Sequence, residues 1–309
     1  MSAPKAGGHA APAGRAVKGA PATLREALSS GTFAVTSEVG PPKGADVTEM
    51  LESAEMLRGR VVAVNVTDNQ AAVMRLCTLA ACALLKQAGF APVLQVTCRD
   101  RNRIAIQSDL LGAAALGITD VLALTGDHVV AGDHPQAKPV FDLESVQLLD
   151  VIATLNGGKD LAGNDLHGTP EYFAGAVVTP DADPIRPQLA KFEKKVRAGA
   201  RFFQTQAVYD PESFKRFMEY ARRFDVKVLA GVLLLKSAGM ARYMNRGIPG
   251  VTVPQALIEE LEGTDKPAER GVEIAARFIR AVRDDCDGVH VMAVGAEHRV
   301  PAVLDAAGL

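Results

Sequence analysis

The stretch Phe33-Ala34-Val35-Thr36-Ser37-Glu38-Val39-Gly40-Pro41-Pro42-Lys43-Gly44-Ala45-Asp46-Val47-Thr48-Glu49-Met50-Leu51, continuing through Leu57 to Val61-Val62-Ala63-Val64-Asn65-Val66, decides how the chain is read. A short run rich in β-branched residues ends at a rigid Pro-Pro turn. Asp46 follows as a candidate N-cap, with Glu49 three residues on. Val47, Met50, Leu51, Ala54 and Leu57 then recur at helical spacing, and a second apolar run begins. The unit is strand, turn, helix, strand.

The same unit repeats outward from this stretch. Apolar runs at residues 33–39, 61–66, 92–96, 121–124, 173–178, 202–205, 226–235 and 288–294 read as eight strands. The intervening spacing predicts helices over 70–87, 103–116, 143–155, 189–200, 212–223, one or two through 261, then 269–283, and a closing helix over 299–307. Strict alternation implies parallel pairing, because each crossover must return over the sheet. Eight such units favour a closed (β/α)8 TIM barrel, a single α/β domain over residues 24–309. An open doubly wound sheet is the alternative. A Gly-x-Gly-x-x-Gly turn after the first strand would support it, but that segment reads Gly40-Pro41-Pro42-Lys43-Gly44.

Composition agrees with a barrel. The 309 residues are 48% hydrophobic but only 5% aromatic, with no Trp, so the core must be built from Val, Leu, Ile and Ala. A net charge of -2 gives no reason to expect a nucleic-acid surface. The four cysteines, Cys77, Cys82, Cys98 and Cys286, form no CxxC pair and read as reduced thiols of a cytoplasmic protein. No apolar run reaches the roughly 20 residues that cross a bilayer, and no signal-like segment opens the chain. Residues 1–23, rich in Ala, Gly, Pro and Lys, are expected to be a disordered tail.

In such a barrel the site lies at the C-terminal ends of the strands. Strand one ends at Glu38, a carboxylate in an apolar run that needs a partner or a function. Strand two ends at Asn65, Thr67, Asp68, Asn69 and Gln70, and strand three at Gln95, Thr97, Cys98 and Arg99. Strand four ends at Leu124-Thr125-Gly126-Asp127-His128, strand six at Gln204, Thr205 and Gln206, and strand seven leads to Lys236 and Ser237. Asp127 also reads as a loop cap, Gln206 as a core amide, and residues 67–70 as an N-cap cluster. The Gly-Asp-His triplets at 126–128 and 132–134 carry two Asp and two His, yet a glycine-containing loop is a poor metal cage, and no metal is expected. Lys194 and Lys195 continue a charged helical stripe from Lys191, which by itself reads as a solvated face.

These residues in this order resemble the methylenetetrahydrofolate reductase family. The landmarks are Ser37-Glu38-Val39-Gly40-Pro41-Pro42, Val96-Thr97-Cys98, Leu122-Ala123-Leu124-Thr125-Gly126-Asp127, and Lys195-Val196-Arg197-Ala198-Gly199-Ala200 leading into Thr205-Gln206 and Asp210. Within the family the chain is most similar to a divergent branch of anaerobic and acetogenic bacteria. The marks are Val66-Thr67-Asp68-Asn69-Gln70 and Thr97-Cys98-Arg99-Asp100-Arg101-Asn102-Arg103. Members of that branch work with a zinc-containing partner subunit and other redox proteins.

The resemblance implies reduction of 5,10-methylenetetrahydrofolate to 5-methyltetrahydrofolate by hydride from a reduced flavin. It implies Glu38 as the acid that opens the folate ring and Asp127 as the carboxylate that stabilises the resulting cation. Gln206, with Asp127, would read the pterin. Thr67, Gln95, Thr97, Leu124, Thr125, Gly126 and Lys195 match flavin-contacting positions, Lys195 at a phosphate. Four positions depart from the family: Thr125 replaces an Arg, Gln95 a His and Gln188 an acidic residue, and no aromatic stands near Ala238. FAD is the expected cofactor, with FMN the alternative, and NADH or a partner protein the electron donor. A homo-oligomer is compatible with this reading. The competing function is a folate-binding or methyl-transfer subunit with no redox role of its own. A weaker one is an unrelated flavin barrel that oxidises an amino acid.

Overall fold

The computed structural model describes residues 23–248 and 250–309. The expected tail lies outside them, except for Thr23, whose side chain accepts the Glu26 amide and caps the first helix. Eight parallel strands close in sequence order into a barrel, β1 pairing with both β2 and β8. They are β1 (Ala34–Val39), β2 (Ala63–Val66), β3 (Pro92–Thr97), β4 (Asp120–Leu124), β5 (Phe173–Val178), β6 (Phe202–Ala207), β7 (Lys227–Leu233) and β8 (Gly288–Met292). The closed sheet excludes the open doubly wound alternative. Among the described residues no helix is long and apolar enough to cross a membrane.

The helices are α1 (Leu24–Ser29), α2 (Thr48–Glu55), α3 (Thr78–Gln87), α4 (Arg103–Ala115), α5 (Ser145–Asn156), α6 (Arg186–Arg197), α7 (Pro211–Ala221), α8 (Ala238–Gly247), α9 (Gln255–Glu262), α10 (Pro267–Val282) and α11 (Val300–Ala307). Local chemistry sets several starts. Glu144 and Gln147 form a reciprocal capping box on α5, Asn102 accepts two amides of α4, and Asp210 precedes Pro211 at the start of α7. Asp46 does not occupy the expected N-cap position. It accepts the Thr48 amide at 3.0 Å and its hydroxyl at 2.7 Å, and Val47 is the residue that enters α2.

Two elements differ from the pattern reading. Helix α1 was not expected, because only Leu24, Ala27 and Leu28 of its six residues are buried. Those three close the bottom of the barrel against Ala34, Ala63, Val93, Leu122, Phe173, Phe202 and Leu229. The helix expected over 70–87 begins only at Thr78. Before it, Asn69, Ala71 and Ala72 have φ of 46°, 55° and 58°, left-handed values no helix contains. The Asn69 side chain accepts the Arg75 amide at 2.9 Å and holds this loop folded back.

Strand side chains alternate between the barrel interior and the helix-covered face. Outward residues such as Val64, Val66, Val96 and Cys98 enter the main core with the helices. Cys98 therefore does not reach the mouth, although it sits at the end of a strand. Inward, the layer above the apolar floor is polar. Asn65 and Gln204 exchange amide hydrogen bonds of 2.8 and 3.2 Å, and Gln204 Nε2 donates to Thr36 Oγ1 at 3.4 Å. This buried polar layer sits under the strand ends that form the site.

Candidate active site

A cavity of about 290 Å³ opens at the C-terminal mouth of the barrel. It brings together Glu38, Gln95, Thr97, Leu124, Thr125, Gly126, Asp127 and Gln206 from four strands or the loops that follow them. Thr67 and Lys195 do not line it. Thr67 lines a neighbouring chamber behind Glu38, and Lys195 stands behind β5.

Glu38 is 7% exposed. Among the described residues none donates a hydrogen bond to its carboxylate, and His290 Nε2 stands 3.8 Å from Oε2. Thr36 Oγ1 lies 2.9 Å from His290 Nδ1 and 3.4 Å from Val289 O, and it accepts from Gln204 Nε2 at 3.4 Å. His290 is buried, and it is the residue that sequence reasoning missed. Its signal was a lone polar side chain at an inward position of Val289-His290-Val291.

Asp127 is exposed at the mouth, one residue beyond Gly126. Gly126 has φ +90°, and a Cβ there would lie 3.0 Å from Thr97 Cβ and 3.3 Å from Arg99 Cβ. The end of β4 can therefore press against β3 only as glycine. Arg99, 2% exposed, clamps the same corner. It donates to the main-chain oxygens of Asp127 at 3.3 Å and Asn69 at 3.2 Å, and makes a two-pronged contact with Asp100. Thr97 is fixed through its amide and hydroxyl, both 2.8 Å from Asp68 Oδ2. Thr125 Oγ1 accepts the Ser145 amide, tying the strand end to α5.

Gln206 owes its position to a bulge. The β6–β7 register shifts between Gln204 and Ala207. Thr205 Oγ1 accepts the Gly231 amide at 2.8 Å and donates to Gln206 O at 2.8 Å. A Cβ on Gly231 would sit 2.1 Å from Thr205 O. The extra residue re-aims the strand end, and both Gln204 and Gln206 face the cavity.

Lys195 separates from the charged stripe of α6. Lys194 is exposed and Lys191 pairs with Glu144 at 3.2 Å, whereas Lys195 is 8% exposed and donates to Val177 O at 2.5 Å. Among the described residues it has no carboxylate partner within ion-pair distance. Burial, helped by the neighbouring Lys191, lowers its pKa to about 8.

The repeated Gly-Asp-His loop is used as a strut. Asp133 accepts from Lys43, from the Met74 amide at 3.0 Å and from His134 Nδ1, and so joins the loops after β1, β2 and β4. Among the described residues no group of three His, Cys, Asp or Glu is placed to hold a metal.

Comparison with known proteins then decides the family. The sequence profile of the family described as methylenetetrahydrofolate reductase matches residues 23–308. The chain belongs to that family. A relative named methylenetetrahydrofolate reductase 2, from Schizosaccharomyces pombe, is 27% identical over 231 residues, 70% of this chain and 35% of its own. The chain thus spans about a third of the length of the eukaryotic relatives it matches. The 5,10-methylenetetrahydrofolate reductase of Pectobacterium carotovorum is 25% identical over 275 residues, 84% of this chain and 86% of its own. Among solved structures, a Clostridium thermocellum protein that binds two copies of 5-methyl-5,6,7,8-tetrahydrofolic acid has a TM-score of 0.63 at 15% identity. That match covers 92% of this chain and 97% of the other, and shares the fold.

Proposed function

We propose that this chain reduces the methylene carbon of 5,10-methylenetetrahydrofolate to a methyl group, with hydride from a bound flavin. The observation that carries the reading is Glu38: a carboxyl buried at the barrel mouth, without a hydrogen bond from any described residue, and facing the same cavity as Asp127 and Gln206. The substrate carbon bridges two ring nitrogens. Breaking one C–N bond requires a proton on the leaving nitrogen, and Glu38 is the acid that gives it. His290 Nε2 stands 3.8 Å behind that carboxyl. The opened form is an iminium cation, and Asp127 supplies the facing negative charge. Gln206 offers a donor and an acceptor to the pterin edge.

The chain suits a flavin at two points. Lys195 is a buried cation with no carboxylate partner among the described residues, and a phosphate would supply the opposite charge. Gly126 keeps the β4 end flush, so a flat ring has a wall along Gln95, Thr97, Leu124, Thr125 and Gly126. The phosphate contact serves FAD and FMN alike. When bound, the flavin supplies the hydride. Electrons would reach it from NADH or from a redox partner protein.

The test is direct. The purified chain should carry flavin, identified after denaturation, and once photoreduced it should be reoxidised by methylenetetrahydrofolate. Glu38→Gln should keep the flavin and lose folate reduction by about 10²-fold or more. A reduced flavoprotein indifferent to the folate would overturn the reading. A flavin-free protein that binds methyltetrahydrofolate would replace it with a methyl-transfer or folate-carrying role.

A further inference from the structure

Glu38 stands between two cavities. On one side is the central cavity. On the other is a chamber of about 430 Å³, walled by the loop after β1, by α2, by the loop after β2 and by the turn after β8. Among the described residues, Glu38 and Gln70 alone line both. The chamber has space for several waters at roughly 30 Å³ each. Its inner wall carries Thr67, which is 2% exposed and whose Oγ1 finds no hydrogen-bond partner among the described protein groups. Buried hydroxyls are seldom left unpaired, so this one is built to meet a small polar molecule. The outer wall is polar and reaches solvent at Glu49, which is exposed on α2.

The proposed reaction needs such an opening. In each turnover the proton of Glu38 passes to the leaving ring nitrogen as the C–N bond breaks. Hydride from the reduced flavin then adds to the exposed carbon, and the nitrogen keeps the proton. The flavin is oxidised by two electrons, the carbon is reduced by two, and one proton is consumed. Glu38 is left as a carboxylate, and ligands bound in the central cavity would keep water from reaching it on that side.

We propose that the chamber behind Glu38 is the water-filled route through which this carboxyl regains its proton, with Thr67 Oγ1 as the inner anchor of the water chain. The inference rests on Glu38 being the acid. The charged and titratable groups around Glu38 are consistent with this direction of entry. Toward the central cavity stand His290, Asp68, Arg99 and Asp127, and toward the chamber stand Lys43, Glu49, Arg75 and Glu297. Most are already engaged. Lys43 is held by Asp133, Arg75 donates to Pro41 O at 3.3 Å, and Glu297 accepts the Gly295 amide at 2.9 Å. Arg99 and Asp68 are locked in the β3 corner. Glu49 makes no such contact and is placed to exchange protons with solvent.

The experiment separates hydride transfer from proton uptake. Flavin-loaded, photoreduced enzyme is mixed with methylenetetrahydrofolate in weakly buffered solution containing an indicator dye. Flavin absorbance reports hydride transfer and the dye reports the proton. In the wild type the two should keep pace. Glu49→Gln, which removes the carboxyl at the solvent end, and Ser53→Phe, which fills the chamber from α2, should leave first-turnover flavin reoxidation unchanged. Proton uptake should lag it by about tenfold in both. Uptake that keeps pace in both variants would overturn the route. So would a parallel loss of hydride transfer, which would make the chamber part of the substrate site. Glu38→Gln run alongside tests the underlying reading: if it still reoxidises flavin at the wild-type rate, Glu38 is not the acid.

Discussion

His290 Nε2 lies 3.8 Å from Glu38 Oε2, on the far side of an imidazole whose Nδ1 is held by Thr36 at 2.9 Å. The pair links the polar layer inside the barrel to the cavity at its mouth. Through Thr36 and Gln204 the imidazole is tied to side chains from β1, β2 and β6. His290→Ala should therefore misplace Glu38 without removing it. We expect kcat for folate reduction to fall about tenfold, less than for Glu38→Gln, and the pH profile of kcat to change shape. A variant with wild-type rate and profile would show that His290 only fills the core.

Asp127 faces both the proposed cation and the proposed flavin. Asp127→Asn should weaken folate reduction by about 10²-fold and raise the flavin midpoint potential, since loss of a nearby negative charge favours the reduced form. Kinetics and a spectroelectrochemical titration read the two effects separately. Unchanged values in both would leave Asp127 as a loop cap.

The bulge beside Gln206 depends on Gly231. A methyl at that position would meet Thr205 O at 2.1 Å, where backbone cannot easily yield. Gly231→Ala should cost about 1–3 kcal/mol in urea unfolding. The folded fraction should show a raised KM for folate, because Gln206 is re-aimed. A stable variant with normal KM would mean the bulge is not what positions the amide.

Most of the architecture was legible because parallel strands leave dense apolar runs and each crossover helix shows its own period. The exceptions have local causes. Ala71 and Ala72 are good helix formers, yet Asn69 folds their loop back, and Gly132 packs so closely that its missing Cβ would lie 1.8 Å from Ala72 O. Tertiary contact overrode propensity there. Glu38, Asp127 and Gln206 stood out as polar residues ending apolar strands. His290 did not, since one His between two Val looks like a satisfied core residue until Thr36, Asn65 and Gln204 are seen in the same layer. Lys195 could not be told from Lys191 and Lys194 by spacing, because all three share one basic helix; only its burial separates it.

At the opposite end of the barrel, Asp120 is 4% exposed and its Oδ1 has no partner among the described groups. Burial raises its pKa to about 6, against the lowering influence of the Leu24 amide and Arg25. A carboxyl with a raised folded-state pKa stabilises the fold while protonated and loses that contribution as pH rises from about 4 to 6. Asp120→Asn should match the wild type near pH 4 and exceed it by up to about 3 kcal/mol at pH 7. Urea titrations at the two pH values decide it. A gap that does not change between them would place the ionised form comfortably in the barrel floor.

Lys195 gives the same linkage with the opposite sign. Its folded-state pKa, about 8, lies below the ordinary 10.5, so the flavin-free fold carries the cost of a buried cation at neutral pH. That cost is relieved as pH rises from about 8 toward 10, where the folded chain releases the proton before the unfolded chain does. Lys195→Met should therefore make the flavin-free chain more stable at pH 7, by up to about 3 kcal/mol, with the advantage shrinking by pH 10. The same substitution should weaken flavin binding by roughly 10- to 10²-fold, because the charge-assisted contact to phosphate is gone. The two effects pull in opposite directions on one side chain, which a purely structural lysine would not do. Apo-protein unfolding at both pH values, together with flavin titration by fluorescence quenching, reads them independently. Destabilisation of the apo-protein with unchanged flavin affinity would show that Lys195 serves only to bind Val177 O and hold α6 to β5.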